Sequence, residues 1–149
     1  DLHQSIETSE KKKTLFNLWI ELMSLKKDNY KSSDKKIMNF AINLAENNKY
    51  ITGTNPSVGC VIVKNNKILS FATTNYGGRP HAESIALNKN RSNKGTSLYS
   101  TLEPCSHHGV TPPCTNAIIK NKVKRVYYSI EDKDLRTFNK TKKILKSKK

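Results

Sequence analysis

Two short segments of the chain concentrate the residue types that bind metal ions. The first is His81-Ala82-Glu83. The second spans residues 103–114 and reads EPCSHHGVTPPC. If these segments share one ion, the fold must bring their side chains to within a few ångströms of each other. That requirement constrains the fold more than any other feature of the sequence.

The candidate metal ligands are His81, Cys105 and Cys114. A catalytic zinc ion is held tetrahedrally by three protein groups, and the fourth position carries a water whose pKa falls to about 7. Two thiolates cancel the charge of the dication, which suits attack by hydroxide on a ring carbon that bears an amino group. Glu83 lies two residues after His81, on a different side of the backbone, and is the candidate general acid and base.

A structural origin is the alternative for any one of these residues, because a lone His is usually a satisfied side chain and a lone Cys is usually a small core hydrophobe. The joint occurrence of His-x-Glu, Pro-Cys and a second Cys, in that order, argues against it. Cys60 lies within a predicted strand, and we expect it in the core because the other two cysteines already complete a three-ligand set.

At these residues the chain resembles the zinc cytidine deaminase superfamily, and within it the diaminohydroxyphosphoribosylaminopyrimidine deaminases of riboflavin biosynthesis. The resemblance runs from about residue 36 to residue 134. Eight residues separate Cys105 from Cys114, whereas most members that act on nucleic acids or free nucleosides have a much shorter spacer. Three segments are similar to the riboflavin enzymes: this spacer, NPSVGCVIV at 55–63 and GRPHAE at 78–83.

The resemblance implies a Zn²⁺ cofactor and a hydrolytic reaction on a small molecule. The substrate would be 2,5-diamino-6-(ribosylamino)pyrimidin-4-one 5'-phosphate, whose ring amino group is replaced by oxygen as ammonia is released. It also implies that the side-chain amide of Asn55 can hydrogen-bond to an edge of the pyrimidine. That Asn55 is only a turn residue before Pro56 is an equal alternative. His107 is expected to hydrogen-bond substrate, and His108 to be structural or exposed.

The chain departs from the family pattern in three places. Val110 stands where many members have a basic residue that contacts the substrate phosphate. Lys133 or backbone amides are therefore expected to bind the phosphate instead. Residues 139–141 (NKT) replace a glycine-rich stretch. Many members continue into an NADPH-dependent reductase domain, whereas this chain ends at Lys149. We therefore expect a deaminase domain alone, with the reductase as a separate protein or beyond a truncation.

Composition indicates one domain with a single core, because the chain has 149 residues of which 35% are hydrophobic. The net charge of +15 raises the possibility of nucleic-acid binding. Nearly half of the excess lies in the basic tail after residue 132, and few aromatic residues alternate with the basic ones, which favours solvated surface. Without a long apolar run or a signal peptide, no membrane segment and a cytoplasmic location are expected.

Residues 1–33 are predicted to be an N-terminal extension, and residues 34–149 the zinc-dependent deaminase domain. Leucines at three- and four-residue steps within 14–25 predict a helix that docks on the domain or, alternatively, mediates partner binding or homo-oligomerisation. The elements predicted for the domain are helices at 34–47, 80–87, 114–119 and 139–145 and strands at 58–63, 68–72, 97–101 and 123–130. Thr111 is the predicted cap of the third helix.

This order of elements predicts an α/β fold, a three-layer α/β/α sandwich with a mixed sheet, as in cytidine deaminases. His81 and Glu83 are predicted in the first turn of one helix and Cys114 in the first turn of the next. Because a helix N-terminus lowers the pKa of a thiol, Cys114 is expected to be ready to bind as a thiolate.

Two other functions fit the sequence less well. A tRNA adenosine or nucleoside deaminase would use the same zinc chemistry, and the basic charge favours it, but the eight-residue spacer opposes it. A non-catalytic, zinc-stabilised binding module is the other alternative. Glu83 argues against that module, because a structural zinc site needs no acid or base and usually closes its fourth position with protein.

Overall fold

The computed structural model describes residues 30–148, with side chains from Ser33 onward. The predicted leucine-rich helix within 14–25 lies outside the described residues. In chain order the elements are α1 (Tyr30–Asn48), β1 (Gly59–Lys64), β2 (Lys67–Thr73), α2 (Ala82–Asn88), β3 (Ser97–Leu102), α3 (Cys114–Lys120), β4 (Arg125–Ile130) and α4 (Thr141–Ser147). None of the helices within this range is long and apolar enough to cross a membrane.

The four strands form one mixed sheet in the order β2-β1-β3-β4. β1 and β2 are an antiparallel hairpin, as predicted, and its turn places Asn65 and Asn66 in the left-handed region, with φ of 51° and 60°. β1 also pairs antiparallel with β3, and β3 pairs parallel with β4. The mixed sheet that the sequence predicted is therefore confirmed.

Helices cover both faces of this sheet. On one face α1 packs its apolar stripe, including Phe40 and Leu44, against Val61 and Val63 of β1. On the other face α2 and α3 pack against the alternate residues of β1 and against β3, and α4 contributes Leu145. Burial on both faces explains why β1 is a continuous apolar run. The predicted α/β/α sandwich is confirmed.

Cys60 is one of the residues of β1 that face α2 and α3, and it is fully buried in that part of the core. Its predicted position in the core is confirmed. The thiol is buried among apolar side chains, and burial raises its pKa well above the ordinary value.

Several predicted element ends are wrong for local reasons. α1 includes residues 30–33, which the sequence placed before the helix, and Asp34 accepts a hydrogen bond from the Tyr99 hydroxyl of β3. α2 begins at Ala82 and not at Pro80, because the Pro80 carbonyl already accepts a loop hydrogen bond from the Asn75 N–H.

The starts of the last two helices and of the last strand also differ from the prediction. Pro113, and not Thr111, precedes the first residue of α3, and no side chain caps that helix. β4 begins at Arg125 instead of 123, and α4 begins at Thr141 instead of 139.

Candidate active site

His81, Cys105 and Cys114 meet although they come from two different connections, one before α2 and one between β3 and α3. His81 is the residue before α2, Cys105 follows β3, and Cys114 is the first residue of α3. The Nδ1 atom of His81 lies 3.6 Å from the Sγ of Cys105 and 3.5 Å from the Sγ of Cys114. The three candidate donor atoms all lie within 4.8 Å of one another.

This geometry fits a tetrahedral zinc ion. With Zn–S bonds near 2.3 Å and Zn–N bonds near 2.0 Å, a tetrahedral angle places sulfur and nitrogen about 3.5 Å apart. The two nitrogen-to-sulfur distances agree with that value. One imidazole and two thiolates are also the donor types that zinc prefers. Within residues 30–148 no other cluster of His, Cys, Asp and Glu donors could hold a metal ion.

The pKa values of the two thiols are shifted in opposite directions. The pKa of Cys105 is lowered to about 4 because its sulfur shares a hydrogen bond with the Cys114 side chain and receives others from His81 and from the Cys114 backbone N–H. The pKa of Cys114 is raised by the same shared hydrogen bond and by burial. The lowered pKa that the sequence predicted for Cys114 is therefore wrong. The amide at the start of α3 donates to Cys105 and not to the sulfur of its own residue.

The hydrogen bond to Cys105 also raises the pKa of His81, against the opposing effect of burial. His81 has an extended backbone and lies just before α2, so its predicted place in the first turn of the helix is wrong by one position.

Glu83 lies in the first turn of α2 with only 4% of the residue exposed. One carboxylate oxygen accepts a hydrogen bond from the Ser100 hydroxyl at 3.4 Å, and the other lies 3.7 Å from the Sγ of Cys114. Burial raises the pKa of this carboxyl group. The structure therefore places Glu83 beside the donor cluster but outside it.

These side chains open onto a cavity of about 280 Å³. Both Asn55 and His107, the predicted substrate contacts, contribute to its wall together with His81, Glu83 and Cys105. The rest of the wall is formed by Thr54, Pro56, Val58, Thr74, Arg79, Leu102, Glu103, Asp132, Asp134 and Arg136. The cavity is thus enclosed by the loops at one end of the sheet.

The two predicted substrate contacts are each anchored to a neighbouring loop. The Nδ2 atom of Asn55 donates a hydrogen bond to the Gly78 carbonyl at 3.0 Å. The Nδ1 atom of His107 is hydrogen-bonded to the Thr137 hydroxyl at 2.9 Å. His108 is exposed, as expected. In each of these two side chains, one nitrogen is therefore engaged in a hydrogen bond within the protein.

Glu103 organises the loop between β4 and α4, a part that sequence reasoning missed. Its buried carboxylate accepts hydrogen bonds from the backbone N–H groups of Asp132, Asn139 and Thr141 at 3.2, 3.4 and 3.3 Å. The Thr141 hydroxyl in turn donates to the Pro104 carbonyl at 2.7 Å. The cavity wall at 132–137 is thus fastened to the segment that carries Cys105. The acidic residue before Pro-Cys was the only signal in the sequence.

Two arginines of the cavity wall were also missed. Arg136 forms an ion pair with Asp134, in which its Nε and one terminal nitrogen contact the carboxylate, and this holds the pKa of Asp134 below its usual range. Arg79 immediately precedes Pro80 and His81. Lys133, the predicted phosphate ligand, is exposed and does not line the cavity. Val110 is 82% exposed and is likewise outside it.

Residues 31–130 match the protein family described as the cytidine and deoxycytidylate deaminase zinc-binding region. The chain belongs to this family. Membership confirms the predicted Zn²⁺ cofactor for the deaminase domain, in agreement with the donor cluster.

Curated relatives of this deaminase domain are named for riboflavin biosynthesis. The riboflavin biosynthesis protein RibD of Aquifex aeolicus is 47% identical over 100 residues, which cover 66% of this chain but 28% of that protein. The diaminohydroxyphosphoribosylamino-pyrimidine deaminase of Buchnera aphidicola (subspecies Schizaphis graminum) is 45% identical over 100 residues, covering 66% of this chain and 68% of that protein.

A solved structure extends the comparison. A diaminohydroxyphosphoribosylaminopyrimidine deaminase/5-amino-6-(5-phosphoribosylamino)uracil reductase from Thermotoga maritima superposes with a TM-score of 0.71 and 35% sequence identity. The match covers 77% of this chain and 34% of that protein. The chain therefore spans about a third of the length of that relative, whose name carries two activities.

Replacing Glu103 by Gln should loosen the loop at 131–140. The amide would present an NH₂ group to backbone donors, which costs about 1–3 kcal/mol for each polar group left unsatisfied. Chemical denaturation should show a lower free energy of unfolding, and hydrogen exchange should be faster at the amides of Asp132, Asn139 and Thr141. Glu131→Gln, at an exposed neighbour, is the control. Unchanged protection of those three amides in Glu103→Gln would contradict the assignment.

Proposed function

We propose that this chain catalyses the zinc-dependent hydrolytic deamination of 2,5-diamino-6-(ribosylamino)pyrimidin-4-one 5'-phosphate, releasing ammonia, in riboflavin biosynthesis. The observation that carries the proposal is the convergence of His81, Cys105 and Cys114 at zinc-binding distances beside the buried carboxylate of Glu83. The relatives named as pyrimidine deaminases support this choice of substrate.

In this proposal His81, Cys105 and Cys114 hold the zinc ion. Zinc, when bound, supplies Lewis-acid activation of a water molecule. The hydrogen bond from the Cys114 N–H orients the sulfur of Cys105. The Nδ1 atom of His81 lies close to the sulfurs of both cysteines, so all three donor atoms face one point. These contacts form within the fold, so the ligands are prearranged.

Glu83 is the proposed general acid and base. Its carboxylate takes one proton from the attacking water and passes it to the ring nitrogen, then takes the second proton of the same water and delivers it to the departing amine. A carbon–oxygen bond forms, the carbon–nitrogen bond to the amino group breaks, and ammonia leaves. Ser100 orients one carboxylate oxygen, so the other faces the donor cluster. Burial excludes water that would compete for the same protons.

Asn55 and His107 are the proposed contacts to the pyrimidine. Because Nδ2 of Asn55 is bonded to the Gly78 carbonyl, its side-chain oxygen is the group available to a donor on the ring. Because Nδ1 of His107 is bonded to Thr137, its Nε2 is the corresponding group on the other loop. Both side chains are held in place before substrate enters, which reduces the entropy cost of binding.

The proposed product would then be reduced by another activity. Hydrolysis of the ring amino group yields a 5-amino-6-(ribosylamino)uracil phosphate, and the name of the Thermotoga maritima relative pairs the deaminase with a reductase for that class of compound. An NADPH-dependent reductase is therefore the proposed partner in the reaction sequence.

An ammonia-release assay tests the substrate. We expect release from the ribosylaminopyrimidine phosphate and none above background from cytidine, adenosine or tRNA. Activity confined to cytidine, adenosine or tRNA would replace the proposed substrate. Zinc-loaded protein that deaminates none of them would make the chain a binding module.

Metal analysis tests the ligand set. The purified chain should carry one zinc ion, and Cys105→Ala should lose it because two ligands do not retain a catalytic zinc site. Cys60→Ala is the matched control, since that thiol lies in the core outside the donor cluster. Elemental analysis gives the zinc content of each variant. Loss of zinc from Cys60→Ala, or its retention by Cys105→Ala, would contradict the assignment.

Replacing Glu83 by Gln should lower turnover by about 10²–10⁴-fold, the usual contribution of positioned acid–base catalysis. Zinc content should stay the same, because this side chain lies outside the donor cluster. Steady-state ammonia release and elemental analysis measure the two effects. Glu46→Gln, on the exposed side of α1, should change neither. The assigned role is wrong if Glu83→Gln retains most of its activity.

A further inference from the structure

The cavity wall contains one cation that the fold itself does not use. Arg79 lines the cavity, and its side chain forms no hydrogen bond or ion pair with any residue of the range 30–148. An exposed arginine without a partner is common on a protein surface. This one lies on the wall of the proposed active site, two residues before a proposed zinc ligand.

The acidic groups of the same wall are already engaged. Glu83 bonds to Ser100, and Glu103 accepts three backbone N–H groups. Asp132 accepts the backbone N–H of Asp134, and Asp134 is paired with Arg136. The charge of Arg79 is therefore the one on this wall, within the described residues, that has no partner, and an incoming anion would not have to displace another group to reach it.

The backbone that carries Arg79 is held firmly. The Gly78 carbonyl accepts the hydrogen bond from Asn55, and the Gly78 N–H donates to the Asn75 carbonyl at 2.9 Å. On the other side, the Pro80 carbonyl accepts the Asn75 N–H at 3.1 Å. Gly78 has a φ of 89°, and a Cβ there would lie 2.5 Å from Nδ2 of Asn55. Arg79 thus starts from a fixed position between two anchored residues.

We propose that Arg79 binds the 5'-phosphate of the substrate, an inference that rests on the proposed function. A guanidinium group offers two parallel N–H donors that match two phosphate oxygens. The proposed substrate carries one terminal phosphate. Val110 is apolar and lies outside the cavity, so it cannot supply the charge.

The other candidate cations are weaker. Arg136 already donates to both carboxylate oxygens of Asp134, whose negative charge would repel a phosphate dianion nearby. Lys133 is exposed and outside the cavity wall. Arg79 combines a free charge, a place on the wall and a fixed backbone.

The test compares Arg79→Gln with wild-type chain on the ribosylaminopyrimidine phosphate and on its dephosphorylated form. Losing a charge-assisted contact should raise KM for the phosphate by roughly 10- to 100-fold. The variant and the wild type should handle the dephosphorylated compound alike, and kcat should change little. Arg91→Gln, an exposed arginine outside the cavity, is the matched control. Circular dichroism and zinc content verify folding.

An equal KM for wild type and Arg79→Gln would overturn the proposal. A loss of phosphate preference in Arg136→Gln or Lys133→Gln, with Arg79→Gln unaffected, would overturn it as well. Should Arg79→Gln fail to fold, Arg79→Lys keeps the charge without the paired donors. Its KM should exceed that of wild type, but by less than the rise expected when the contact is lost entirely. An Arg79→Lys KM equal to that of wild type would then count against the proposal.

Direct binding of ribose 5-phosphate separates this inference from the proposed function. Calorimetry on the wild-type chain should detect binding that Arg79→Gln weakens by at least ten-fold and Arg91→Gln does not. If the wild type binds this probe through Arg79 but releases no ammonia from the pyrimidine phosphate, the proposed reaction fails and the anion site stands. If ammonia is released and the probe binds both variants equally, the anion site fails alone.

Discussion

Three donor groups from two separate connections must meet at one point, and the arrangement of this domain follows from that constraint. His81 comes from the loop before α2, Cys105 from the end of β3, and Cys114 from the start of α3. They can meet only if α2 and α3 lie side by side on the same face of the sheet, which is where the core residues of the two helices pack. The apolar core therefore sets the distances between polar groups that lie several residues away from it.

Hydrogen bonds between loops hold the wall of the cavity in place. Glu103 fastens residues 132–141 to the segment that carries Cys105, and Asn55 fastens residues 75–80 to the loop before β1. Within the described range no buried side-chain nitrogen or oxygen lacks a hydrogen-bond partner. Because unsatisfied buried groups cost free energy, this complete pairing favours a single loop arrangement. Such an arrangement positions the proposed catalytic groups before substrate binds.

The parts of the fold and site that sequence could predict are those encoded locally. The apolar run of β1, the hairpin and the amphipathic helices follow from periodicity, and the donor residues follow from chemical type and spacing. The first residues of helices were harder to predict. The Pro80 carbonyl, for example, accepts a hydrogen bond from the Asn75 amide in a loop, and the helix begins only after it. Glu103 and Arg79 escaped prediction because their surroundings depend on loops that approach only in the folded chain. The relative acidity of Cys105 and Cys114 depends on the same tertiary contacts.

The eight-residue spacer between the cysteines serves the cavity wall and not the donor geometry. The Cys114 and Thr115 backbone N–H groups bond to the sulfur and carbonyl of Cys105, so the two ends of the spacer are joined directly and the residues between them loop outward. Of those residues only His107 reaches the cavity, where Thr137 holds it, while Val110 stays in solvent. A shorter spacer could close the same pair of sulfurs but would remove this side chain from the wall. Spacer length therefore bears on which side chain lines this part of the cavity, whereas the two cysteines are joined directly at its ends.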